Sequence, residues 1–153
     1  MAGAGEATLP PVRGCGPCQL CCRVFPVPEA GKMHTHWCDH LVQGAGCRIY
    51  ETRPAPCREF FCQWTRNAQL GEDWRPDIAG FVLSDPQPWA LLVTNDPERP
   101  QAWRAEPYHS QIRDWARQAG EQFRFAGVRE GEKLMLVLAD CEIDIEDNAT
   151  GAA

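Results

Sequence analysis

Eight of the nine cysteines in this 153-residue chain stand at positions 15, 18, 21, 22, 38, 47, 57 and 62, within its N-terminal part. Thiols at that density either exchange electrons as dithiols or hold a soft metal as thiolates. Nearby histidines widen the donor choice. In His34-Thr35-His36-Trp37-Cys38-Asp39-His40 the donors alternate, so an extended backbone would turn His34, His36, Cys38 and His40 to one face. Mixed Cys/His ligation is then open, with His40 first to test. The plainer reading makes them loop histidines beside a thiolate site.

Cys15-Gly16-Pro17-Cys18 has the letters of a thioredoxin-type dithiol. That fold sets its motif behind a strand, and the preceding Leu9-Pro10-Pro11-Val12-Arg13-Gly14 supplies neither strand nor crossover. Cys21 and Cys22 would also scramble such a disulfide. The spacing Cys15-x2-Cys18-x2-Cys21 suits a metal better, because it wraps three sulfurs around one side of a centre. Bacterial ferredoxins use it with a remote fourth Cys to hold a [4Fe–4S] cube. Adjacent side chains diverge, so Cys22 is expected to serve a second metal or to pack inside. With Cys38, Cys47, Cys57 and Cys62 the set could make one cube plus a second site, or two tetrahedral zinc sites. The third evenly spaced Cys favours iron.

Other residues have supporting chemistry. Arg53 and Arg58 could donate hydrogen bonds to cluster sulfurs or to a bound anion, which makes them candidate cofactor-binding residues. The competing reading pairs Arg53 with Glu51 or Glu59. Tyr50, Phe60 and Trp64 are expected to pack the cysteine segment onto the rest of the molecule. Cys141, in an apolar run, reads as a small buried hydrophobe, and His109 as a surface residue. Asp144 and Glu146 read as a solvated face. No GxSxG, HExxH or phosphate-binding loop is present, so no catalytic residue is assigned.

Composition bounds the class. The chain is 44% hydrophobic and 24% charged, with formal charge −6, which fits one globular unit. Residues 1–66 carry seven Lys/Arg against five Asp/Glu, and residues 67–153 carry eight against sixteen. An acidic chain with no basic cluster argues against nucleic acid as a partner. No apolar run reaches membrane-spanning length and no secretory leader is read, so a reducing cytoplasm is expected, where structural disulfides are rare.

The elements that must position the cysteines are short. Residues 1–12 and 147–153 read as disordered ends, around a single domain over 13–146. Within it a cysteine-cluster metal-binding lobe, 13–66, has one short helix over Pro17–Val24 and another over Arg53–Trp64. Its few large aliphatic residues cannot make a core, so metal ligation is expected to organise it. Residues 67–146 form an α+β layer. Ala79–Ser84 and Trp89–Asn95 read as a hairpin turning at Asp85-Pro86-Gln87-Pro88, and Lys133–Ile145 as a last strand. Tyr108, Ile112, Trp115, Ala116, Ala119 and Phe123 recur at helical steps over Pro107–Phe123. The expected fold is α+β: an irregular Cys-rich lobe on a small antiparallel sheet with one main helix.

One ordered set of residues is more specific. Cys15-x2-Cys18-x2-Cys21-Cys22, Cys38-x-His40-Leu41, and Cys47-Arg48-Ile49-Tyr50-Glu51-x-Arg53-Pro54-x2-Cys57-Arg58-x-Phe60-x-Cys62 resemble the CxxCxxCC family of YkgJ-type cysteine-cluster proteins. Trp74-Arg75-Pro76-Asp77 before an apolar strand is similar to the continuation in some members. The resemblance implies zinc or iron chelation by these cysteines, and no settled reaction. A related domain accompanies methyl transfer in flagellin lysine methylase, whose remaining parts have no counterpart here. Three roles follow for a metal protein: an iron–sulfur centre with a redox or cluster-dependent role, a zinc-stapled interaction module, or a carrier that hands its metal to a protein partner.

Overall fold

The computed structural model describes residues 11–14, 18–28, 31–32, 36–122, 124–130 and 133–145. Cys15, Pro17, His34, Phe123 and Glu146, named above, lie outside them, as do the two ends beyond 11 and 145. In chain order the described residues form α1 (Cys21–Val24), β1 (Leu41–Val42), β2 (Gly46–Cys47), α2 (Ala55–Glu59), α3 (Gln63–Arg66) and α4 (Pro76–Ala79). Then come β3 (Phe81–Gln87), β4 (Ala90–Asn95), α5 (Tyr108–Glu121), β5 (Phe125–Glu130), β6 (Lys133–Val137) and β7 (Glu142–Asp144). The class is mixed α and β.

The second half holds a five-stranded sheet in the order β3-β4-β5-β6-β7. The hairpin pairs Phe81 with Asn95 and Ser84 with Leu92, then shifts register before Gln87 pairs with Ala90. Pro86 therefore lies within a strand edge rather than in the turn, which moves to Pro88-Trp89. The sheet is mixed and not purely antiparallel, because β4 runs parallel to β5, with Leu92 opposite Gly127. A parallel pair needs a crossover, and α5 supplies it. The expected single strand over Lys133–Ile145 is instead two, β6 and β7, joined by a turn in which Leu138 N–H donates to Cys141 O at 2.9 Å. That turn leaves Cys141 exposed, not buried.

Apolar alternation explains which faces are covered. Ile112, Ala116 and Ala119 recur at four- and three-residue steps along α5 and are buried against β5. On the other side α3 and α4 lie against β3. Gly80 ends α4 at φ +86°, and a Cβ there would sit 2.7 Å from the Ala102 Cβ, so only glycine fits this cap. Trp74 is the hub of the aromatic packing, with ring centroids 4.9 Å from Tyr108, 5.3 Å from Trp115 and 5.9 Å from Phe81. One buried cluster joins Leu20, Val24, Cys62 and Trp64 to sheet residues Val82, Val93 and Val128.

Candidate metal centre

α1 stands where the cysteine segment meets that core, and its neighbours sort the thiols. The helix is a single turn over Cys21–Val24. The expected continuous helix over Arg53–Trp64 is broken into α2 and α3, because Phe60 at the end of α2 turns extended. The break carries Cys57 outward on α2 and leaves Cys62 buried before α3. Phe60 packs on Phe25 at 4.8 Å between centroids, so the ends of α1 and α2 are stapled together. Trp64 is buried as expected, with the Arg13 guanidinium 4.1 Å over its ring. Tyr50 is not a packing residue: it is 58% exposed.

The inner group is Cys18, Cys21 and Cys62, which line one small cavity with Trp64, Thr65, Pro76 and Val82. Cys18 also accepts hydrogen bonds from the backbone N–H groups of Leu20 and Asp77. Burial outweighs these donors and pushes the Cys18 thiol up to about 12. The Asp77 contact gives a physical role to the Trp-Arg-Pro-Asp stretch, since Pro76 opens α4 and presents the next N–H. Arg75 grips the Asp77 carboxylate through Nε at 2.6 Å and Nη2 at 3.0 Å.

The outer group is Cys22, Cys38, Cys47 and Cys57, all half-buried. Cys38 N–H donates to Cys22 O at 3.2 Å. The β1–β2 hairpin pairs Leu41 with Cys47 and so folds Cys47 back toward Cys38. Burial first, then Cys22, Cys38 and Cys47 as neighbouring thiolates, raise the Cys57 thiol above its ordinary value. The two groups touch at α1. Cys21 and Cys22 are consecutive on α1, and the neighbouring Cys21 thiol is the first influence on Cys22. That neighbour, opposed by burial and aided by the charges of Lys32 and Arg53, lowers Cys22 to about 7.

Lys32 is the charged residue that sequence reasoning missed. It is only 4% exposed, and its Nζ donates to Phe25 O and, at 2.9 Å, to Arg23 O, at the C-terminal end of α1. Gly31 in the left-handed region, φ +67°, lets the chain reverse so that Lys32 pairs with Val27. Burial pulls its ammonium below the ordinary 10.5, and thiolates at Cys38, Cys22, Cys21 and Cys57 oppose that pull. Its one sequence signal is a lone lysine after Gly31 in a stretch with no other Lys or Arg between Arg23 and Arg48.

The arginine expectations divide. Arg53 stacks on Tyr50, 3.7 Å from guanidinium to ring, and its Nε donates to Tyr50 O at 2.9 Å. Its charge reaches Cys22 and Cys57. Arg58 is exposed. Over the described residues 36–40 the extended run does not reach His40, because Leu41 N–H closes a turn onto Cys38 O at 3.0 Å; His34 lies outside them. His36 is exposed and His40 half-buried. His109 is not a plain surface residue, since it lies 3.8 Å from Glu142 and its ring centroid 5.3 Å from that of Trp103.

By donor type these residues fit a soft or borderline metal. By geometry, no three His, Cys, Asp or Glu among the described residues converge closely enough to enclose an ion. No helix among them is long and apolar enough to cross a membrane. Comparison with known proteins finds no matching family, no similar curated protein and no similar solved structure.

Proposed function

We propose that the chain is a metal-binding protein whose cysteines hold a thiolate-ligated centre, an iron–sulfur cluster with a redox or cluster-dependent role. The ligands are Cys15, Cys18, Cys21, Cys22, Cys38, Cys47, Cys57 and Cys62, in the order that resembles the YkgJ-type proteins. The observation that carries the reading is the gathering of thiols around α1. Cys21 and Cys22 of α1, with Cys38 and Cys57 from two other chain segments, all half-buried, lie near enough to one buried ammonium, Lys32, for their thiolates to oppose its loss of charge. Dispersed cysteines of a metal-free protein have no reason to collect about a cation. A bound centre would supply one-electron or Lewis-acid chemistry. The chain's own groups do the rest: thiolates ligate after losing their protons to solvent, while Lys32 and Arg53 offset the resulting negative charge.

Zinc is the second reading, and the small inner cavity of Cys18, Cys21 and Cys62 favours it. It makes the protein a stapled module whose search is for partners rather than substrates. Anaerobic purification, with a visible spectrum and elemental analysis on the same sample, separates the two. A broad band near ~400 nm with about four iron per chain is the expected result for a cubane. Stoichiometric zinc without colour would replace it with the zinc reading, and neither metal would overturn both.

A further inference from the structure

A second hollow lies away from the thiols, where the last turns of α5 pass β5 and the end of β6. Its volume is about 310 Å³, which reaches the range of pockets that take small molecules. The cavity beside Cys18 holds only about 10 Å³. Small residues make the difference: Ala116 and Gly120 of α5 and Ala126 of β5 all border the space. A Cβ added at Gly120 would meet nothing within 4 Å, so helix and sheet do not close there as packed elements usually do. Leu136, Val137 and Leu138 complete apolar walls.

Two features of the rim give the hollow a chemistry. Arg124, half-buried, is the one charged residue among the described residues that line it. Its backbone N–H donates to Ala119 O at 2.7 Å and so ties the residue to the end of α5. A guanidinium carries more donors than one partner occupies, and its fork matches a carboxylate. Phe125 is half exposed, and its ring meets that of Trp89 edge to face with centroids 5.8 Å apart. Exposed aromatic rings at the lip of an apolar pocket suit a flat aromatic guest. We propose that this hollow is a binding site for a small aromatic carboxylate, whose ring lies among Ala116, Ala126 and Phe125 and whose anionic group meets Arg124. In a chain of formal charge −6, a single cation on apolar walls selects for one negative group at that point. The site is separate from the cysteines, so it stands or falls apart from the metal-binding reading.

The test is calorimetric titration of the full, reduced chain with naphthoate and with its neutral counterpart, naphthylmethanol. Wild type should bind naphthoate at a single site and more tightly than the alcohol. Gly120→Leu places a side chain in the open space and exchanges a poor helix former for a good one. The fold is then kept while the hollow fills, and binding of both probes should be lost. Arg124→Gln should weaken naphthoate by roughly tenfold or more, as for loss of a charge-assisted hydrogen bond, and leave naphthylmethanol unchanged. Because that variant leaves the apolar walls intact, it decides the role of the charge even where Gly120→Leu disturbs the helix end. Absence of naphthoate binding in wild type, wild-type affinity in folded Gly120→Leu, or an equal response of the two probes to Arg124→Gln overturns the assignment.

Discussion

Lys32 shows how much a single residue contributes once its surroundings are known. Its ammonium is anchored by the Arg23 and Phe25 carbonyls beside the outer thiols. Lys32→Met keeps an unbranched chain of similar length but removes the charge, leaving two carbonyls without their donor. Second-sphere partners of a metal change affinity by roughly 10–100-fold. Lys32→Met is therefore expected to give up metal at roughly tenfold lower competing chelator than wild type, read by a colorimetric chelator assay. Cys141→Ser, on the exposed β6–β7 turn, should match wild type in the same assay. Equal retention by Lys32→Met would show that the ammonium serves packing alone. The cysteines as ligand candidates were legible from spacing. Lys32 was not, because its role comes from chain reversal at Gly31.

Among the elements, β7 is an edge strand of three residues that depends on side-chain ties. Glu142 bonds Arg113 of α5, and Arg104 Nη1 at 3.2 Å, so one carboxylate joins strand, helix and the turn before the helix. Burial alone would raise the Glu142 pKa. Arg104, then Arg113 and His109, overcome that and hold it below the ordinary 4.5. A depressed carboxylate contributes stability that is present above its unfolded value and lost as pH falls through the folded one. Urea midpoints should therefore fall below about pH 4.5, and Glu142→Gln should flatten that fall. At neutral pH the variant should be less stable by about 1 kcal/mol, as for a part-buried, solvent-screened ion pair. An unchanged acid limb would reassign the dependence to another carboxylate. The helix α5 and the β3–β4 hairpin were readable because their apolar periods are long and clear. β5 was not: Phe125-Ala126-Gly127-Val128-Arg129-Glu130 mixes glycine and charge with apolar residues, and only pairing with β4 and β6 makes it a strand. The helix expected over Arg53–Trp64 is broken at a tertiary contact, for Phe60 turns extended where its ring packs on Phe25.

Across the whole molecule, stability is unevenly shared. The sheet half contributes most of the fully buried side chains, whereas residues 36–61 include none that is buried. Arg23 bridges the halves, with Nη1 3.1 Å from Glu98 and 3.5 Å from Asp96 beyond β4. Without metal, the segment 36–61 should open at low free-energy cost. Hydrogen exchange should find its amides fast in apo-protein and slowed by metal, with β3, β4 and β5 protected in both states. Equal exchange with and without metal would mean that ligation does not organise this segment. The sequence by itself determined the mixed α and β class, the main helix, the hairpin and the crowding of cysteines at one end, since all of these follow from local periodicity and composition. Only the tertiary structure decided the parallel β4–β5 pair, the split of cysteines about α1 and the place of Lys32. Those depend on which distant segments pack together, and packing is a property of the folded surface that no spacing along the chain encodes.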